Sequence, residues 1–173
     1  MRRSLPWILI VVLAAAYGYG RRQDGGGAAG SATPVGTASS APVVRVVDGD
    51  TIQIRLGDRK ERVRLIGVDT PETVKPNTPV QCFGRKASAE THRLLDGRRV
   101  RLVPDVEPRD RYGRLLAYVY RLPDGLFVNA ELARRGYARQ MTIPPNVRFA
   151  DHFRMLVAQA RRAGRGLWSA CAR

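Results

Sequence analysis

Between Thr51 and Leu56 the chain reads "TIQIRL", with apolar and polar residues in unbroken alternation. Ile52, Ile54 and Leu56 then share one face, the two-residue period of a strand with one side buried. A helix would place the same three residues around its axis rather than in a line. "GDRK" follows as a turn, and "RVRLIGV", residues 62–68, reads as the return strand of a hairpin. "VVRV", residues 43–46, is a short opening strand, and "RVRLV", residues 99–103, alternates again. "GRLLAYVYRLPDGLFV", residues 113–128, reads as a strand, a Pro-Asp-Gly turn and a short return strand.

Helical signals fall between and after these strands. "RKASAETHRLLDG" closes at Gly97, and "NAELARRGYA" offers Asn129 as N-cap and Gly136 as a stop. Phe149, Phe153, Val157 and Ala160 recur at helical spacing, with Gly164 past the end. The expected class is α+β, mainly β, with five strands and three helices. Short, strongly bent antiparallel strands favour a small closed barrel over an open sheet.

Residues 1–22 stand apart. A basic start and an apolar run from Leu5 to about Gly20 read as an export signal or a short membrane anchor. Ala14 and Ala16 offer a small-x-small cleavage site, while the run is near the lower limit for a span. Residues 23–42 are Gly, Ala, Ser, Thr and Pro with almost no large apolar side chains, too little surface to offset ordering entropy. They read as a disordered, flexible linker, so the domain is expected over residues 43–173. Either fate of the N-terminus puts that domain outside the cytoplasm, tethered through residues 5–20 or secreted. In that setting the two cysteines, Cys82 and Cys171, suggest one disulfide, against two free thiols. Monomer is the simplest expectation.

Thirty basic residues face fifteen acidic ones, a formal net charge of +15. Such a balance attracts polyanions, nucleic acid first and an anionic membrane surface second. Yet the scarce acids gather. Asp48 and Asp50 flank Gly49, and Asp69 and Glu72 follow in "VDTPET". All are hard oxygen donors of the kind that suits Ca²⁺. Thr70 is pushed extended by Pro71, so its carbonyl can face the same ion. Gly49 is expected to let the chain turn sharply between the two aspartates. Arg64 leads toward Asp69, and "RDRYGR" sets Arg111, Tyr112 and Arg114 at a turn feeding a strand. Arginine is permanently charged and can bond two phosphate oxygens at once. A metal, two arginines and a glutamate beside a water form a set able to hydrolyse a phosphodiester. No His stands near a candidate Ser or Cys, so a nucleophilic triad has no support.

"VVDGDT", "RLIGVDTPET", "DRYGRLLAYVY" and "VNAELARRGYA", in this order and spacing, resemble the staphylococcal nuclease (thermonuclease) family. The resemblance implies a five-stranded OB-fold barrel with three helices and Ca²⁺-dependent hydrolysis of DNA and RNA to 3′-phosphate ends. It implies that Asp50, Asp69 and the Thr70 carbonyl bind Ca²⁺, with Asp48 behind them. Glu72 orients or deprotonates the attacking water, and Arg64 and Arg114 hold the scissile phosphate. Tyr112 is expected near a terminal phosphate, and Arg111, also expected to bind substrate, stands where the family's founding member has Lys. The loop after "RRGYA" departs from the family's founding member, which carries two tyrosines there against the base. Here it reads "RQMTIPPN", with Tyr137 as a partial substitute. The alternative reading is a non-catalytic nucleic-acid-binding OB module.

Overall fold

The computed structural model describes residues 39–73 and 79–171. The expected signal or anchor segment (1–22), residues 23–38 of the expected linker, and residues 74–78 of the loop before Cys82 lie outside the described residues. The alternating hairpin forms as expected. β2 (Thr51–Leu56) runs antiparallel to β3 (Arg59–Leu65), with Ile52 opposite Val63 and Arg55 opposite Lys60. β1 (Ser39–Asp48) precedes them, and its register against β2 shifts twice, between Val43 and Arg45 and between Val46 and Asp48. Such shifts bend a strand and increase its twist. The bend lets β1 serve two neighbours, β2 through residues 43–48 and β5 (Arg99–Val103) through residues 39–42. β6 (Leu115–Leu122) pairs antiparallel with β5 and parallel with β3, and this closes the five-stranded barrel β1-β2-β3-β6-β5.

Several expectations needed correction. β1 begins at Ser39, four residues before the expected start, because Ala41 is small enough to be fully buried against β5. The strand expected over residues 62–68 is two. β3 stops at Leu65, and Gly67, at φ +84°, turns the chain into β4 (Gly67–Asp69). A side chain at Gly67 would collide with the Phe153 ring, so the glycine supplies both a left-handed backbone and a close approach. β4 pairs with β7 (Arg139–Met141), a strand in a segment expected to be loop. The return strand after Pro123-Asp124-Gly125 is reduced to one bridge, Tyr120 to Phe127.

Asn129 is not an N-cap. The second helix, α2, spans Val128–Arg134, following α1 (Gly84–Leu95), and Asn129 lies inside its first turn, fully buried. Its Nδ2 donates to the carbonyls of Ile66 (2.9 Å) and Ala117 (3.3 Å), and its Oδ1 accepts from Val119 N–H (2.9 Å). One amide therefore ties α2 to β6 and to the β3–β4 junction. α3 (Ala150–Arg162) buries Phe153, Leu156 and Ala160, and a short α4 (Leu167–Ala170) buries Leu167.

The barrel interior holds Ile52, Ile54, Val63, Leu65, Val100 and Val119, each fully or almost fully buried. Each such side chain contributes about 1.5–3 kcal/mol. Tyr118 links the barrel to α3: its ring meets Phe127, Phe149 and Phe153, and its hydroxyl donates to Asp105 (2.8 Å). The disulfide is present. Cys82 and Cys171 are joined, with Cα atoms 6.0 Å apart, and tie the chain before α1 to the end of α4. Among the described residues no helix is long and apolar enough to cross a membrane.

Candidate active site

β1 ends at Asp48 and β2 begins at Thr51, so the two aspartates sit at the tight end of a hairpin. Both are buried, at 6 % and 7 % exposure. Asp48 Oδ1 accepts from Gly49 N–H (2.8 Å) and from the Thr73 hydroxyl (2.6 Å). Burial pushes the Asp48 carboxyl up to about 6, and a hydrogen bond with the Glu72 side chain favours its protonated form further. That bond places Glu72 beside Asp48. Asp50 Oδ1 accepts from the Thr51 hydroxyl (3.0 Å), and Oδ2 accepts from Thr70 N–H (2.8 Å) and the Thr70 hydroxyl (3.0 Å). Asp69, at the end of β4, is more open. Burial raises its carboxyl above the ordinary value, and the nearby Arg64 offsets only part of that rise.

Arg64 explains how the acids coexist. Its Nη2 lies 3.0 Å from Asp69 Oδ1 and 3.3 Å from Asp50 Oδ2. Its Nη1 donates to the carbonyls of Leu65 (3.0 Å) and Val68 (2.6 Å). The guanidinium thus closes the β3–β4 turn and neutralises one carboxylate from the β1–β2 turn and one from β4. Among the described residues no three His, Cys, Asp or Glu side chains are grouped to hold a metal. The donor chemistry nevertheless fits an oxygen-bound divalent cation. Two hard carboxylate oxygens, with the Thr70 backbone next in the chain, already converge on a single cationic nitrogen. Ca²⁺ takes six to eight oxygens, about half of which here would come from water or substrate.

A cavity of about 500 Å³ opens beside this cluster. Arg64, Arg111, Tyr112 and Arg114 line it, with Leu116, Met141 and Ile143 as an apolar wall. Asp110 organises the cationic side. Its Oδ1 accepts from the N–H groups of Tyr112 (2.9 Å) and Arg114 (3.0 Å), and its Oδ2 accepts from Arg114 Nε (2.7 Å). The Asp110 turn therefore fixes the direction in which Arg114 points. Arg111 donates to the Tyr112 hydroxyl (2.7 Å), and the Tyr112 ring is largely exposed. Asp50 and Asp69 meet this space through Arg64.

Some contributors carried no sequence signal. Gln81 clasps Glu72: its Oε1 accepts from Glu72 N–H (3.0 Å) and its own N–H donates to the Glu72 carbonyl (3.0 Å). The next residue is the bridged Cys82. Thr73 holds Asp48. Gly49 is needed for a reason other than its turn, since its φ is not left-handed. A Cβ there would lie 2.6 Å from Thr70 Oγ1 and displace the residue that positions Asp50. Tyr137 is not a substitute base platform: it packs on Phe83, ring centroids 5.4 Å apart, and does not line the cavity.

The family model described as staphylococcal nuclease homologue matches residues 62–170. Thermonuclease of Staphylococcus intermedius is 56 % identical over 120 residues, covering 69 % of this chain and 68 % of that protein. Thermonuclease of Staphylococcus hyicus is 46 % identical over 127 residues, covering 73 % and 74 %. Endonuclease YncB of Bacillus subtilis is 41 % identical over 127 residues, covering 72 % and 59 %. With the acid-bearing hairpin, the barrel and the arginine-lined cavity in one place, these matches show that the chain belongs to the staphylococcal nuclease family.

Proposed function

We propose that this protein is an exported, Ca²⁺-dependent endonuclease that hydrolyses DNA and RNA with little sequence preference and leaves 3′-phosphate ends. The observation that carries the reading is Arg64. It lines the cavity with Arg114 and at the same time touches Asp50 and Asp69. Cation-binding oxygens and phosphate-binding guanidiniums therefore meet at one point. Nuclease names on relatives of up to 56 % identity support the activity.

Arg114, aimed by Asp110, and Arg64 grip the non-bridging oxygens of the scissile phosphate, where charge builds as water adds. Asp50, Asp69 and the Thr70 carbonyl would hold the Ca²⁺, with Asp48 behind them. The ion supplies Lewis-acid polarisation of a phosphoryl oxygen when bound. Glu72, held by Gln81, orients or deprotonates the attacking water. The P–O5′ bond breaks, the leaving oxygen takes up a proton from solvent, and a 3′-phosphate and a 5′-hydroxyl result. Arg111 and Tyr112, on the same wall, meet a terminal phosphate. Met141 and Ile143 offer the base an apolar surface without ring stacking, in keeping with weak base preference. Export rests on the basic start and apolar run of the sequence and is supported by the Cys82–Cys171 bridge, since disulfides persist in oxidising compartments.

The test uses the full chain with single-stranded DNA, duplex DNA and RNA, each with Ca²⁺ or with chelator. Cleavage that requires Ca²⁺ and falls by a factor of ~10² or more in Glu72→Ala, Arg64→Ala and Arg114→Ala is expected. Unchanged turnover in all three variants sinks the assignment. Binding without cleavage turns the protein into a nucleic-acid-binding barrel.

A further inference from the structure

The positive charge of this chain is unevenly neutralised. On the helices and loops, acids pair with arginines: Glu90 with Arg93 and Arg135, Glu131 with Arg134, Asp151 with Arg154. The outer face of the β2–β3 hairpin differs. Val63 and Leu65 of β3 point into the barrel, so Lys60, Arg62 and Arg64 share the opposite face. On β2, Ile52 and Ile54 are buried and Gln53 and Arg55 face out. The register sets Arg55 opposite Lys60, Gln53 opposite Arg62, and Arg45 of β1 opposite Gln53. Arg45, Arg55, Lys60 and Arg62 are all exposed, and among the described residues none forms an ion pair. No carboxylate stands on this face of the two strands. The one acid within β3, Glu61, is on the other side and is paired with Arg109.

The row leads into the cavity. Arg64, at its end, lines the cavity wall. Val63 pairs with Leu115, so Arg62 comes level with Arg114. Successive outward residues on a strand are about 6.6–6.8 Å apart, close to the spacing of neighbouring phosphates on an extended nucleic-acid strand. No aromatic side chain lies among the outward residues, so nothing there can stack on a base. We propose that the outer face of β2–β3 is a phosphate track that carries the flanking nucleotides of an extended single strand away from the cavity. The proposal rests on the reading of that cavity as a phosphodiester site. It makes Arg45, Arg55, Lys60 and Arg62 determinants of affinity for long polynucleotides, without base discrimination.

The experiment measures binding of the full chain to fluorescein-labelled single-stranded oligothymidylate, by anisotropy, in chelator and across a salt series. The variants are the triple Arg55→Ser, Lys60→Ser, Arg62→Ser and a charge-matched control on α3, Arg154→Ser, Arg161→Ser, Arg162→Ser. Each phosphate that a single strand no longer presents to a cation takes ~0.7 off the slope of log affinity against log salt, so the track variant drops by about 2. The control keeps a slope within ~0.7 of the parent. A track variant with the parental slope, or a control that drops as far, overturns the proposal. So does a drop seen with duplex but not with single strands. Because no cleavage is required, a protein that binds along the track but fails to cut DNA refutes the nuclease assignment and leaves the track standing.

Discussion

Replacing both Cys82 and Cys171 by serine removes a bridge across a sequence separation of 89 residues. Cross-linking over that distance restricts the unfolded chain, and loop-closure entropy gives about 4.6 kcal/mol at 25 °C. With a urea m-value near ~2 kcal/mol/M, the midpoint of unfolding falls by about 2 M. Equilibrium unfolding followed by tryptophan fluorescence and circular dichroism reads this directly, with the reduced parent protein as a second arm. Both arms should agree, because the loss lies in the unfolded chain and not in an interaction particular to sulfur. A midpoint shift below about 0.5 M refutes the reasoning and means the unfolded chain stays compact without the bridge. The same variant touches function, since Cys82 adjoins the Gln81 clasp on Glu72. Cleavage measured well below the unfolding midpoint should fall, and Gln81→Ala with the bridge intact should reproduce that fall without the stability loss.

Other tests follow from single interactions. Asn129→Ala strands the Val119 N–H and the Ile66 carbonyl in the interior, while the Ala117 carbonyl keeps the Ile66 N–H, and thermal unfolding should show a loss of roughly 2–4 kcal/mol. Gly49→Ala drives a methyl group into Thr70, and kcat should drop about tenfold or more in protein that circular dichroism shows to be folded. Burial raises the Asp110 carboxyl, but the Arg114 guanidinium and the N–H groups of Arg114 and Tyr112 together hold it below its ordinary value. A folded-state value below the unfolded one means stability that is present above about pH 4 and lost as pH falls through the folded value. Asp110→Asn should therefore cost stability at neutral pH and progressively less in acid. An NMR titration that places the Asp110 carboxyl above the ordinary range removes the basis for that expectation.

The sequence showed the β2–β3 hairpin because Ile52, Ile54 and Leu56 repeat every two residues, and it showed α3 because Phe153 and Ala160 repeat at helical spacing. β4 and β7 are three residues each, too short for any period to register. Asn129 misled because asparagine at a helix start usually caps it. Here a buried helix end brings the amide within reach of β6, a pairing that local sequence does not encode. The site residues were legible as types, and their arrangement was not. Arg64 was assigned to phosphate alone, yet the fold also makes it the counter-charge of Asp50 and Asp69. Gln81 had no signal, because its role depends on the chain folding back across the loop to Glu72.

β1 carries a consequence for how the domain can be cut. Ser39, Ser40, Ala41 and Pro42 pair with Leu102, Arg101, Val100 and Arg99, and Val43 N–H reaches the Arg98 carbonyl. By composition these four residues belong to the tether; by pairing they are the seam of the barrel. Trimming the chain at Val43 would unzip that seam and leave β5 with a bare backbone edge, a template for pairing with a second molecule. Such a fragment would keep every acid and arginine of the site and still tend to self-associate, because the strand that shields β5 begins where the sequence looks least structured.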